Sequence, residues 1–138
     1  MKLTELQLEA AGYLFEKANG NKHDNSLEKI IHESGLEVYD ITILEKIIVN
    51  GINSEIYNEL QIRTSAYWAL SKRFNNELIP SFKKWLKMEI EKNNTSPIFQ
   101  IMIALDNLEE SIFNKDRTGY AFDEIELNLK DAKTYLSN

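Results

Sequence analysis

The side chains that could carry metal or acid–base chemistry in this sequence are two histidines and a surplus of carboxylates. His32 follows Glu28 by four residues, one helical turn, so the pair could supply two metal ligands. A di-metal helical bundle needs a Glu-x-x-His pair on each of two helices plus further glutamates, and no second histidine pair exists. The other histidine, His23, lies in a polar segment where we expect it to face solvent. We therefore predict no metal site and no cofactor, with His32 near a helix C-terminus.

Motifs for covalent catalysis and phosphate binding are missing from the sequence. The chain has no cysteine, its five glycines are isolated, and no Gly-x-Ser-x-Gly segment occurs. Paired carboxylates are plentiful, but hydrolytic chemistry would require two of them to face each other across a cleft. We predict that the protein is not an enzyme.

Carboxylates concentrate after Leu108. Glu109 and Glu110 close a predicted helix, where negative charge is unfavourable, so they are candidates for contact with a partner. The alternative is an ordinary solvated surface. The candidate partner-binding residues are Asp106, Glu109, Glu110, Asp116, Asp123 and Glu124.

A basic and aromatic stretch, "AYWALSKRFNNELIPSFKKWL", occupies residues 66–86 and contains both tryptophans. Its interleaved rings and cations could form a nucleic-acid surface. Phe82 and Ile90 belong to an inward helical stripe, however, and Trp85 adjoins it, so packing at the edge of the core is favoured. The basic residues are Lys72, Arg73, Lys83, Lys84 and Lys87.

Charge varies along the chain, whose net charge is −6. Residues 1–62 carry 5 basic and 11 acidic side chains, residues 63–95 carry 7 and 3, and residues 96–138 carry 4 and 8. The acidic ends disfavour nucleic acid and suit a basic protein partner. No segment reads as a secretory signal or a membrane span, so we expect a cytoplasmic protein.

Hydrophobic spacing indicates a chain of helices. We predict helices over residues 4–18, 25–34, 37–50, 54–74, 77–92, 96–110 and 123–137. The β-branched residues of 37–50 leave a strand open as an alternative. We expect Thr4 to cap the first helix, Asn25 or Ser26 to cap the second, Gly35 to end the second, and Pro80 to lie in the first turn of the helix over 77–92. Asn50-Gly51 is expected to stop the segment 37–50, Ser54 and Asp123 to cap the helices that follow them, and residues 61–64 to be a candidate junction between two helices.

Two of the predicted helices have inward stripes that the structure can test. The first stripe consists of Leu6, Ala10, Tyr13, Leu14 and Ala18, and the last consists of Ile125, Leu129, Ala132 and Leu136. About seven helices joined by short loops predict a single all-α domain over 1–138, with antiparallel helical hairpins stacked as a short HEAT-like α-solenoid. The hairpins are clearest at 54–110.

Three segments resemble a family of small bacterial HEAT-like helical proteins. They are "RTSAYWALSKRFNNELIPSFKKWL", "PIFQIMIALDNLEESIF" and "DRTGYAFDEIELNLKDAKTYL", within residues 63–136. Members of this kind are found among immunity proteins of polymorphic-toxin and contact-dependent competition systems. The resemblance implies a non-catalytic protein that binds and neutralises a cognate toxin domain, such as a basic nuclease. The alternative is a HEAT-like scaffold or adaptor that binds another cellular protein.

Overall fold

A computed structural model describes residues 1–138 and contains seven α-helices and no β-strand. The helices are α1 (Glu5–Ala18), α2 (Asn25–Ser34), α3 (Ile41–Asn53), α4 (Leu60–Ser71), α5 (Ile79–Glu91), α6 (Thr95–Asn107) and α7 (Ile125–Ser137). The all-α class with helical hairpins is therefore confirmed, and the strand alternative for residues 37–50 is wrong. The helices form two compact units, Met1–Arg73 and Phe74–Asn138.

Helix α1 is central to the first unit, where it packs on α2, α3 and α4. Thr4 caps it as predicted, through a reciprocal capping box with Gln7. The predicted inward stripe is partly wrong, because Leu6 is 55% exposed. Trp68 packs directly on Gly12, so the buried face is turned from the predicted one. The buried residues are Leu8, Ala10, Ala11, Gly12 and Phe15.

Gly35 ends α2 in the left-handed conformation that its sequence position predicts, with φ of 73°. The N-cap, however, is Asp24 rather than Asn25 or Ser26. Its carboxylate accepts a hydrogen bond from the Leu27 amide at 3.0 Å. The hydrogen bonds of the Asp24 carboxylate with Ser26 and with this amide also lower its pKa.

Helix α3 does not stop at Asn50-Gly51 but continues to Asn53. Gly51 lies against the ring of Tyr57, and a Cβ at this position would come 2.6 Å from Tyr57 Cε2. The absence of a side chain at Gly51 therefore allows close packing and does not mark a turn. Ser54 is correspondingly the C-cap of α3 and not the N-cap of the next helix. Helix α4 starts only at Leu60 and runs unbroken through residues 61–64.

In the second unit, α5 and α6 form a hairpin against which α7 packs. Pro80 lies in the first turn of α5, as predicted. Trp85 is 1% exposed and meets Phe82 edge-on at 5.7 Å, so it belongs to the core rather than to its edge.

Helix α7 departs most from its predicted stripe. Ala132 is buried as expected, but Ile125 is 47% exposed, and the other buried residues of the helix are Asn128 and Asp131. Glu124, not Asp123, holds the N-cap position. The polar face points inward because it binds an arginine of the preceding loop.

Candidate protein-interaction surface

The six predicted partner-binding carboxylates lie in the last turn of α6 or in the α6–α7 loop, residues 108–124. Asp106, Glu109, Asp116 and Asp123 are exposed. Glu110 and Glu124 are half-buried and hold intramolecular bonds, described below. Four of the six are therefore presented to solvent.

Glu110 joins the start of the loop to the end of α7. Its Oε1 accepts a hydrogen bond from the Tyr135 hydroxyl at 2.6 Å. Burial raises the pKa of Tyr135, and the bond to the Glu110 carboxylate raises it further. Glu110 thus stabilises the second unit and is less suited to a partner than its neighbour Glu109.

The α6–α7 loop contains no helix or strand, which is uncommon for a loop of this length in a compact protein and is typical of functional loops. Arg117 organises it. Its side chain is 7% exposed, and its guanidinium donates to Asp131 Oδ2 at 2.8 Å, Asn128 Oδ1 at 3.0 Å and Glu124 Oε1 at 3.1 Å. Burial lowers the pKa of Arg117, but the bonds to Asp131 and Glu124 outweigh it and leave that pKa above its usual value.

Backbone bonds complete the attachment of the loop to α7. The Asn114 amide donates to Asp131 Oδ2 at 3.1 Å, and the Ala121 amide donates to Glu124 Oε1 at 3.0 Å. The Asn128 side-chain amide donates to the Ala121 carbonyl at 2.9 Å. The carboxylates of Asp131 and Glu124 each bind both Arg117 and a backbone amide of the loop. These bonds fix the path of the loop against α7.

Aromatic rings brace the same loop. Phe113 and Tyr120 stack with centroids 3.9 Å apart and planes 11° apart. The Arg117 guanidinium carbon lies 5.6 Å from the Phe113 ring and 5.4 Å from the Tyr120 ring. Such cation–π contacts add to the ion pairs that hold the arginine.

The braced loop and the start of α7 expose apolar side chains among carboxylates. Phe122 is 66% exposed, Ile125 47%, Leu127 46% and Tyr120 44%. Asp123 and Glu126 are exposed beside them. Exposed aromatic and aliphatic anchors on a rigid support, bordered by charge, are what a protein-binding surface requires. The carboxylates were predicted from sequence, whereas Phe122, Leu127 and the role of Arg117 were missed. The sequence signal that could have indicated this surface is the pair of aromatic residues, Tyr120 and Phe122, in a long polar loop.

The predicted basic cluster divides between the two units. In the first, Lys72 pairs with Glu16 at 3.7 Å and Arg73 with Glu45 at 3.3 Å. Lys72 also lies over the Trp68 ring, 5.4 Å from its centroid. In the second unit, a groove of about 640 Å³ lies between α5 and α7. Its lining consists of Lys83, Lys84, Lys87, Ile90, Glu91, Lys133, Leu136 and Ser137.

The two histidines occupy different settings. His23 is not directed to solvent as predicted: its side chain is 8% exposed, with Nε2 3.1 Å from the Tyr13 carbonyl oxygen. His32 is exposed near the end of α2 and lies 3.4 Å from Glu37, while Glu28 pairs with Lys17 at 3.2 Å. Nowhere do three or more histidine, aspartate or glutamate side chains form a group that could hold a metal ion.

None of the helices combines the length and the apolar character that crossing a bilayer requires. Comparisons with protein-family models, with curated proteins and with solved structures give no match to this chain.

Proposed function

We propose that the protein is a non-catalytic binding module, an immunity protein that neutralises a basic bacterial toxin domain in the cytoplasm. The observation that carries the proposal is the set of exposed apolar side chains, led by Phe122, which stand among carboxylates on a loop held by Arg117. Asp123 is exposed and adjoins Phe122 in the chain, Asp116 is exposed in the same loop, and Asp106 and Glu109 lie where α6 ends.

The physical support has two parts. Burying Phe122 and Leu127 against a partner would supply apolar contact energy, because both are largely exposed in the free protein. The loop is already ordered by Arg117, so binding costs little further conformational entropy. Rigid anchors of this kind favour slow dissociation.

Charge supports a basic partner. The exposed carboxylates Asp116, Asp123 and Glu126 would attract a positively charged surface and raise the association rate. Many toxin domains that act on nucleic acid are basic, and the resemblance of residues 63–136 to immunity proteins points to that class of partner. A HEAT-like scaffold or adaptor would use the same surface for another protein, so the two functions differ in biological outcome rather than in geometry.

We expect the gene immediately upstream to encode a large secreted protein, and the test is co-expression with the C-terminal domain of that upstream gene product. We expect that domain to arrest growth, the wild-type chain to restore it, and the pair to co-purify. The double variant Phe122→Ser/Asp123→Lys should lose both protection and complex formation while keeping its helical circular dichroism. Val38→Ser is the matched control, because Val38 is 83% exposed in the first unit.

Two results would count against the proposal. Co-purification without restored growth would favour the scaffold function. Full protection by the double variant would show that this loop is not the binding surface.

A further inference from the structure

The groove of about 640 Å³ between α5 and α7 is open to solvent and has an apolar floor. Ile90 of α5 and Leu136 of α7 line it, and both are half-buried. Lys83, Lys87 and Ile90 are spaced by four and three residues, so they share one side of α5. The methylene stems of the groove lysines extend the apolar lining, while their ammonium groups reach water. The groove therefore offers apolar contact at its floor and positive charge at its rim.

The charge of the groove is almost entirely positive. Its lining contains one carboxylate, Glu91, and four exposed lysines. The four lysines are Lys83, Lys84, Lys87 and Lys133. None of them forms an ion pair within the protein, and Lys83 Nζ lies over the Tyr135 ring, 5.3 Å from its centroid. Like charges gathered in one place repel one another, so an anionic occupant would relieve this repulsion and be attracted to the groove.

We propose that the groove binds an acidic amphipathic helix of a partner protein. Residues 83–91 span about 12 Å along the axis of α5, which is about two helical turns. A partner helix would place apolar side chains, three or four residues apart, on Ile90 and Leu136. Carboxylates on both sides of that apolar stripe would meet the lysines of α5 and α7. No groove residue belongs to the surface of the proposed function, so this binding is independent of it.

The chemistry of the groove favours a helix over other anionic ligands. No aromatic side chain lines it, so the bases of a single-stranded nucleic acid would have no ring on which to stack. A fatty acid would match the lysines and the apolar floor, but an open groove would leave one side of its tail in water. An amphipathic helix has only one apolar side, which the groove covers, and its polar side faces solvent.

The test is fluorescence anisotropy of the full chain with a labelled helical peptide. Its leucines are spaced by threes and fours, glutamates flank this stripe, and alanines fill the other positions. We expect saturable binding by the wild type and at least tenfold weaker binding by Lys84→Glu/Lys87→Glu, whose side chains are exposed. Lys46→Glu/Lys115→Glu makes the same change of charge at exposed positions outside the groove and should bind like the wild type.

A second probe tests the apolar contact. A peptide of the same composition in shuffled order keeps the charge but loses the stripe, so it should bind at least tenfold more weakly. Amide chemical-shift changes caused by the first peptide should fall on residues 83–91 and 133–137. Shift changes confined to other residues would overturn the proposal, and so would equal binding of the two peptides.

Other occupants of the groove give different results. Tighter binding of oligothymidylate or dodecanoate than of the peptide, lost in Lys84→Glu/Lys87→Glu, would assign the groove to nucleic acid or lipid instead. In sedimentation equilibrium we expect the chain alone to be a monomer, and a dimer that this double variant dissociates would make the occupant a second copy. Failure of the peptide to bind the wild type, or equal loss of binding in the two double variants, would overturn the proposal directly.

Discussion

Two irregular segments of this protein are held in different ways. Residues 54–59, between α3 and α4, turn an aromatic inward: Tyr57 is 1% exposed, lies on Gly51, and accepts a hydrogen bond from the Leu3 amide at 3.2 Å. The α6–α7 loop is held by Arg117, which binds the polar face of α7, and by the buried ring of Phe113, yet it leaves Phe122 66% exposed. An arginine binds the first segment as well, because Arg63 donates to the Tyr57 carbonyl at 3.0 Å. The two segments therefore differ in what they leave outside: residues 54–59 bury their one ring, whereas the α6–α7 loop keeps exposed rings that a partner could contact.

The largest expected effect comes from removing the arginine anchor. Arg117→Met leaves the buried Asp131 carboxylate without its cation, and losing one partner of a buried pair costs about 3 to 5 kcal/mol of unfolding free energy. Urea unfolding measures this loss, and amide hydrogen exchange of residues 108–124 should accelerate. Lys115→Met is the control, since Lys115 is an exposed cation of the same loop. Equal unfolding free energies of the two variants would show that Arg117 does not hold the α6–α7 loop.

The next effect compares the stability contribution of a buried aromatic side chain with that of an exposed one. Tyr57→Ala deletes a buried ring and should lower the unfolding free energy by about 3 kcal/mol. Phe122→Ala should change it by less than about 0.5 kcal/mol, because that side chain is largely exposed. In the toxin-protection assay, at a temperature where the Tyr57 variant is still folded, Phe122→Ala should lose more protection than Tyr57→Ala. A large stability loss in the Phe122 variant would show that its ring is structural.

A smaller effect compares two glycines. Gly51→Ala places a methyl group 2.6 Å from the Tyr57 ring, and such overpacking costs about 1 to 3 kcal/mol, partly offset by the better helix propensity of alanine. Gly119, in the α6–α7 loop, has open space where a Cβ would lie, so Gly119→Ala should be nearly neutral. Thermal unfolding of the two variants makes the measurement. An unchanged melting temperature for Gly51→Ala would mean that residues 54–59 shift to make room for the added methyl group.

The smallest effect concerns alkaline pH in the first unit. Burial, together with the hydrogen bond to Glu9 at 2.7 Å, raises the pKa of Tyr13 to about 12. The folded state holds the phenol proton more tightly than the unfolded state. This contribution is therefore complete below about pH 10, the ordinary phenol value, and is lost as pH rises through about 12. Tyrosinate absorbance should show Tyr13 ionising at lower pH in Glu9→Gln, and an unchanged titration would exclude the role of Glu9.

Local sequence signals predicted several helix ends, although they missed the local cap Asp24. Thr4 predicted the start of α1, Gly35 predicted the end of α2, and Pro80 predicted the first turn of α5, because caps and φ preferences act within a few residues. Asp123 was predicted to cap α7, but Glu124 holds the N-cap position and Asp123 is exposed. Its presence in one surface with Phe122 was not predicted, because exposure of an aromatic depends on which other side chains fill the core.

The sequence by itself determined an all-helical chain and placed a carboxylate-rich loop before its last helix, because spacing and capping residues decide both. Tertiary structure alone decided which faces are buried. Gly51 continues a helix because Tyr57 packs on it, and α7 turns Asn128 and Asp131 inward because Arg117 lies there. Both outcomes depend on residues outside the helix concerned, whose contacts act against the preference of a glycine for turns and of a polar side chain for water.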